Sequence, residues 1–118
     1  MTLENLPKSL SAHNLNDWFN SELENPTLVD VRESQELAIV QFPFSVIHIP
    51  MSKITIAEIN AKLDYFKDKK IVALCHMGVR SYNFSKWMLD NGFVKEIWNL
   101  EEGIDGWSKY IDSSIIRY

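Results

Sequence analysis

The residues of this chain that could do chemistry lie together in one segment, Cys75-His76-Met77-Gly78-Val79-Arg80-Ser81. Cys75 is the only cysteine, and it directly follows an apolar run, Ile71-Val72-Ala73-Leu74, that is typical of a buried parallel strand. Because a helix is expected to begin a few residues later, free backbone N–H groups and the helix dipole favour negative charge at the cysteine. Together with the cation of Arg80 they favour the thiolate, which is the reactive form of cysteine.

The segment predicts a nucleophile held in an anion-binding cradle. Gly78 lets the chain curl, because glycine tolerates positive φ and close backbone approach, and successive inward N–H groups form a nest for an anion. The predicted catalytic residue is Cys75. The residues predicted to bind substrate are the six that follow it: His76, Met77, Gly78, Val79, Arg80 and Ser81. A structural alternative stays open, in which Cys75 is a small buried hydrophobe, as free cysteines often are.

The three histidines give weaker signals. His76 could act as a general base toward Cys75. Because adjacent residues seldom share a face, a loop-packing role for His76 is an equally good interpretation. His13 and His48 have no supporting partners in the sequence, and we interpret them as a surface residue and a strand residue. No metal site is predicted from any of them.

Elements of alternating type surround the cysteine segment. Apolar residues at helical spacing predict helices in the regions 15–23, 56–66, 81–91 and 104–111, with a short helical turn over 33–39. Runs rich in β-branched residues predict strands over 27–31, 45–49, 71–74 and 94–98. The alternation predicts an α/β fold, a three-layer sandwich with a mainly parallel sheet and helices on both faces. Such sheets bind ligands at the carboxyl ends of their strands, which independently selects the loop after residue 74.

Length and composition limit the function classes. A chain of 118 residues with 46% hydrophobic and 24% charged residues is expected to form a single globular domain over 1–118. A formal net charge of -4 argues against nucleic-acid binding. One cysteine excludes an internal disulfide and a multi-cysteine zinc site, and no cofactor is predicted. No apolar run has membrane-spanning length, so no membrane partner is predicted and the cytoplasm is the expected compartment.

Three further segments accompany the cysteine loop in a fixed order. They are Asp30-Val31-Arg32 with Glu36, His48-Ile49-Pro50, and Trp98–Ile104 with Trp107. Together with the loop pattern Cys-x-x-Gly-x-Arg-Ser, they resemble the Asp-Val-Arg, Ile-Pro and Leu-x-Gly-Gly-x-x-x-Trp motifs of the rhodanese-like sulfurtransferase family. The resemblance covers nearly the whole chain. It departs from the family at Glu102, which replaces one glycine of the Gly-Gly pair, and over 41–45, where the family often has a glycine-rich turn.

The resemblance implies a double-displacement reaction. Cys75 would take the sulfane sulfur of a small-molecule donor such as thiosulfate and carry it as a persulfide, which a thiol or a protein acceptor would remove. The backbone amides of residues 76–80 would hold the anionic sulfur, with electrostatic support from Arg80. Asp30 and Arg32 would be structural support near the site. Because the chain has no second cysteine, the persulfide has to be discharged by an outside molecule.

Other functions stay open at this point. A cysteine phosphatase also holds an oxyanion in a Cys…Arg loop, but tyrosine-phosphatase-like loops are one residue longer than the one between Cys75 and Arg80. The shorter cradle is expected to clash with a phosphoryl group. A non-catalytic binding or regulatory module is the second alternative, although inactive relatives usually lose the cysteine. A redox sensor is the third alternative. Against it, this chain has no second cysteine that could resolve an oxidised Cys75.

Overall fold

A parallel sheet lies at the centre of the computed structural model, which describes residues 5–118. The strands formed by these residues are β1 (Lys8–Leu10), β2 (Thr27–Asp30), β3 (Ile47–His48), β4 (Ile71–Leu74) and β5 (Trp98–Leu100). Their order across the sheet is β1-β5-β4-β2-β3, and all neighbouring strands are parallel. Strand β4 is central and buried along its whole length, which is the reason for its uninterrupted apolar sequence.

Helices cover both faces of this sheet. Within residues 5–118 they are α1 (Ala12–Phe19), α2 (Ser34–Ile39), α3 (Ile56–Ala61), α4 (Leu63–Phe66), α5 (Val79–Asp90) and α6 (Gly103–Tyr110), with a 3-10 turn at Met51–Lys53. Successive side chains of β4 point to opposite faces. Ile71 and Ala73 enter a core with α3, α4 and α5, whereas Val72 and Leu74 enter a second core with α1 and α6. The predicted three-layer α/β sandwich is therefore confirmed.

Some element bounds differ from the sequence predictions. The strand predicted over 94–98 is wrong, because the residues that pair with β4 are Trp98 and Asn99, and β5 covers Trp98–Leu100. Ile97 is fully buried but lies just before the strand, so its apolar side chain placed the predicted strand too early in the sequence. The helix predicted over 56–66 is divided at Lys62, whose φ of -112° and ψ of 7° are not helical. Strand β1 was not predicted at all, since only its last residue, Leu10, is buried.

The sheet places the carboxyl ends of β2, β4 and β5 side by side at one edge. The segments that follow these three strands contain Arg32, Cys75 and Gly103, in that order along the chain. Residues far apart in sequence thereby meet around one loop. Along the described residues 5–118, no helix has the length and hydrophobicity needed to cross a membrane.

Candidate active site

Cys75 lies directly after the central strand β4, at the start of the loop that leads into α5. Its side chain is 1% exposed. The sulfur accepts hydrogen bonds from the backbone N–H groups of Gly78, at 3.1 Å, and Ser81, at 3.4 Å. The hydroxyl oxygen of Ser81 is a third polar neighbour, 3.3 Å from the sulfur. A cysteine that only filled space in the core would need no such partners, so these donors favour a functional role of the sulfur over the structural alternative.

Gly78 gives the loop a shape that other residues could not. Its φ of 93° is in the left-handed region, and a Cβ at this position would overlap the carbonyl oxygen of Glu101 in the neighbouring loop. Gly78 is also the residue immediately before α5, and its N–H is the donor nearest to the sulfur of Cys75 among those within hydrogen-bond distance in the described residues. The glycine is therefore required both by the backbone conformation and by the close approach of the two loops.

The start of α6 is hydrogen-bonded to the backbone of the first two residues of the loop. The N–H of Ile104 donates to the carbonyl of Cys75 at 2.9 Å, and the N–H of Asp105 donates to the carbonyl of His76 at 3.0 Å. Gly103 precedes them with a φ of 59°, and a Cβ there would overlap both loop carbonyls. These two hydrogen bonds fix the backbone on which the cysteine is mounted.

A buried polar pair, Ser81 and Asn99, lies behind the sulfur. The Ser81 hydroxyl donates to Oδ1 of Asn99 at 2.5 Å, and Nδ2 of Asn99 donates to the carbonyl of Gly78 at 3.0 Å. A hydroxyl has one proton to donate, so the Ser81 hydroxyl donates it either to Asn99 or to the sulfur of Cys75. Asn99 was not among the predicted site residues. Its only sequence signal is its place in the motif that surrounds it.

Arg80 turns to a carboxylate rather than to the sulfur. Its two terminal nitrogens donate to the two oxygens of Glu36, at 2.6 and 2.8 Å. The hydrogen bonds from Arg80 lower the pKa of Glu36 to about 2, and the same pairing raises the pKa of Arg80. Glu36 also accepts from the N–H of Glu33 in a capping box at the start of α2. The sequence offered Glu36 only as a motif position, without this partner.

Asp30 and Arg32 form a fully buried ion pair at the end of β2. Arg32 Nη2 is 2.9 Å from Oδ2 of Asp30, and Nε contacts both carboxylate oxygens at 3.1 Å. The backbone N–H of Arg32 also donates to this carboxylate at 3.0 Å.

His48, which the sequence left without a partner, is a residue of β3 whose Nε2 donates to the Arg32 carbonyl at 2.6 Å. His13 is exposed on α1, where it contacts Tyr110.

His76 is packed against an aromatic residue that no sequence motif indicated. Its ring is stacked on Tyr118, with centroids 3.9 Å apart and planes inclined by 9°. The Tyr118 hydroxyl donates to Glu36 at 3.1 Å and accepts from Arg32 Nη1 at 3.1 Å. Burial, outweighing the hydrogen bond from Arg32, raises the pKa of Tyr118. No hydrogen bond within residues 5–118 joins His76 to Cys75, which favours the loop-packing role of His76 over the general base.

The remaining loop residues, Met77 and Val79, form an exposed apolar rim. Their exposed fractions are 59% and 69%. The structure thus brings all seven residues of the segment Cys75–Ser81 together, with sulfur inside and apolar side chains outside. In the described part of the chain, no group of three or more histidine, cysteine, aspartate and glutamate residues could hold a metal ion.

Fold and site together define a class of protein: a parallel α/β sandwich whose central strand ends in a cysteine, enclosed by a loop of N–H donors at a helix start. The model of the rhodanese-like domain family matches residues 15–110 of this chain. This match extends over most of the sequence. The chain belongs to the rhodanese-like domain family, as its motifs predicted.

Proteins with several different names are similar to this chain in sequence or structure. It is 37% identical over 100 residues to "Putative sulfurtransferase YtwF" of Bacillus subtilis, covering 85% of this chain and 89% of that protein. It is 35% identical over 107 residues to the tRNA uridine(34) hydroxylase of Buchnera aphidicola, covering 86% of this chain and 32% of that protein. A rhodanese-like domain protein from Staphylococcus aureus has a similar solved structure, with a TM-score of 0.70 and 27% identity over 94% of this chain and 98% of that one.

The lengths of these relatives differ from that of this chain. The chain spans about a third of the length of several curated relatives that it matches. Relatives closer to it in length include proteins named sulfurtransferases.

Proposed function

We propose that this protein is a rhodanese-type sulfurtransferase that carries a sulfane sulfur as a persulfide on Cys75. The observation that carries the proposal is the set of donors around the cysteine sulfur: the N–H groups of Gly78 and Ser81 at the start of α5. Donors fixed in advance stabilise negative charge without reorganisation during the reaction. Membership of the rhodanese-like family, with relatives named sulfurtransferases, supports the same reaction.

The reaction takes place in two displacements. The Cys75 thiolate attacks the outer sulfur of a donor such as thiosulfate; a bond forms between the two sulfurs, the S–S bond of the donor breaks, and sulfite leaves with the electron pair. A thiolate of a small molecule or a protein then attacks the terminal sulfur, takes it as its own persulfide, and releases Cys75 as a thiolate. Covalent catalysis of this kind replaces one difficult transfer by two easier ones.

The other site residues make their hydrogen bonds to the loop and its neighbours and not to the sulfur. Arg80, paired with Glu36, fixes the first turn of α5 at the rim. Asp30 and Arg32 fix the end of β2 next to it. In a phosphatase, the loop arginine would have to bind the phosphoryl oxygens. The pairing of Arg80 with Glu36 therefore supports sulfur transfer over phosphate hydrolysis.

Intact-mass measurement tests the proposal directly. After incubation with thiosulfate in the absence of reductant, we expect the wild-type protein to gain the mass of one sulfur atom, and cyanide to remove it. Cys75→Ser is the matched control, since it keeps a small polar side chain at the same position, and it is expected to gain nothing. If neither thiosulfate nor mercaptopyruvate loads the folded wild-type protein, the proposed donor class is wrong and a binding module becomes the better interpretation.

A further inference from the structure

A segment that follows α6, residues 111–118, crosses back to the active-site loop; we call it the strap. Ile115 is buried in the second core, and its carbonyl accepts a hydrogen bond from the Ser108 hydroxyl at 2.6 Å. Arg117 donates to the carboxylate of Asp105 at 2.9 and 3.2 Å. Asp105 itself donates its backbone N–H to the loop carbonyl of His76. The strap is therefore attached to the same helix that supports the loop.

Tyr118 reaches both ends of the loop from the strap. Its ring covers His76, the residue next to the nucleophile, in a nearly parallel stack at 3.9 Å. Its hydroxyl donates to Glu36, and Glu36 binds Arg80 near the other end of the loop. A second bond, from Arg32 to the hydroxyl oxygen, fixes the orientation of the phenol. Stacking and two directed hydrogen bonds make Tyr118 a firmly held cover on this side of the loop.

The two sides of the loop differ in accessibility. On the side of His76 and Arg80, Tyr118 and Glu36 occupy the surface, and Tyr118 keeps 36% of its own area exposed. Met77 and Val79 are well exposed, and with Gly78 they line a surface cavity to which neither Tyr118 nor Glu36 contributes. The sulfur between these sides is almost completely buried. A molecule that reacts with Cys75 therefore meets either the Tyr118 cover or the apolar rim.

We propose that Tyr118 is a specificity-determining residue, whose ring closes the His76 side of the loop so that donors and acceptors reach Cys75 over the apolar rim of Met77 and Val79. The role in specificity rests on the proposed sulfur transfer, but the access that Tyr118 controls is a property of the thiol and can be measured without turnover. The phenol has to be neutral to donate to Glu36, as an ordinary tyrosine is at neutral pH, and burial raises the pKa of Tyr118 further.

Alkylation with a small and a bulky reagent measures this access. The rates of reaction of Cys75 with iodoacetamide and with fluorescein maleimide are determined at neutral pH, and their ratio is divided by the same ratio for the protein unfolded in urea. We expect Tyr118→Ala to raise the relative rate of the bulky reagent at least about tenfold, since a ring stack and hydrogen bonds to charged groups no longer hold the cover closed. A general loosening of the loop would accelerate both reagents and leave the ratio unchanged.

Two further variants separate the contributions of ring and position. Tyr110→Ala is the matched control, because Tyr110 also packs on a histidine, but that histidine, His13, belongs to α1 and not to the loop; its ratio is expected to equal that of the wild type. Tyr118→Phe retains the ring without the hydroxyl, and it is expected to change the ratio less than Tyr118→Ala. In proton NMR spectra, the upfield shift that the Tyr118 ring imposes on the His76 ring protons should persist in Tyr118→Phe and vanish in Tyr118→Ala.

The outcomes distinguish this proposal from the proposed function. If folded Tyr118→Ala shows the wild-type ratio while its NMR spectrum confirms the loss of the stack, Tyr118 does not control access, whether or not Cys75 accepts sulfur. If the ratio rises but no donor loads the wild-type protein, control of access by Tyr118 stands and the sulfurtransferase proposal fails. If the ratio rises and thiosulfate loads the wild type, both proposals stand. The substitution Tyr118→Ala should then accelerate loading by a bulky persulfide, relative to the wild type, more than it accelerates loading by thiosulfate.

Discussion

Replacing Gly103 by alanine tests whether the start of α6 fixes the active-site loop. Gly103 has a φ of 59°, and an added Cβ would overlap the carbonyl oxygens of Cys75 and His76. Relief of this overlap requires the loop to move away from α6, which breaks the hydrogen bonds from Ile104 and Asp105 to those carbonyls. The substitution therefore acts on the cysteine loop without changing any side chain in it.

Gly92 provides a control with the same backbone conformation. Its φ is 71°, and an added Cβ would have no heavy atom within 4 Å. Both substitutions place alanine in the left-handed region, which costs roughly 1–2 kcal/mol. Gly103→Ala additionally loses two hydrogen bonds of about 1 kcal/mol each. We thus expect Gly103→Ala to be destabilised by about 2 kcal/mol more than Gly92→Ala, from these two bonds alone.

Urea unfolding followed by circular dichroism measures this difference. With a denaturant slope of about 2 kcal/mol/M, the midpoint of Gly103→Ala is expected about 1 M below that of Gly92→Ala. Persulfide formation should be slowed in folded Gly103→Ala and unaffected in Gly92→Ala, because only the former displaces Cys75. Equal midpoints and equal loading rates would show that the loop accommodates the methyl group, and that the contact with α6 does not fix it.

Two charge pairs give the remaining predictions. The pKa of Glu36 is lowered from 4.5 to about 2, chiefly by Arg80, so its contribution to stability is present above pH 4.5 and is lost as the pH falls toward 2. The difference in unfolding free energy between wild type and Glu36→Gln, measured by urea titration, should shrink over that interval; a constant difference would contradict the ion pair. Asp30→Asn leaves the buried charge of Arg32 without its counterion and is expected to cost about 3–5 kcal/mol. Thermal unfolding would measure this cost, and a loss below 1 kcal/mol would indicate that the pair is hydrated.

The central part of the fold followed from the sequence because its determinants are local. Ile71–Leu74 is apolar without interruption, as a central strand covered on both faces has to be, and it ends in Cys75. The donors of the loop were also predictable, since Gly78 and the start of α5 are encoded within a few residues of the sulfur. Bounds failed where tertiary packing outweighed local pattern, as at Ile97, which is buried outside the strand.

The partners of the loop could not be predicted in the same way. Glu36 and Arg80 are 44 residues apart in the chain, and Tyr118 and Glu36 are 82 apart. No periodicity relates such positions; only the parallel topology, which places the ends of three strands at one edge, brings them together. Asn99 was overlooked for a related reason: the role of a polar residue in a short strand is evident only when its hydrogen-bond partner on α5, Ser81, is known.

These distant contacts are what make the loop useful for covalent chemistry. The loop sequence supplies N–H donors, but a free loop would have to reorganise each time the sulfur changes between thiol, thiolate and persulfide. Here the loop is fixed on separate sides by Glu36 of α2, Asn99 of β5 and the N–H groups that follow Gly103. Because each contact comes from a different element, loss of any one leaves the others in place. The donors should then remain aimed at the sulfur when one of these side-chain contacts is removed, and among variants that keep Cys75 large losses of activity are expected only where the backbone itself is displaced.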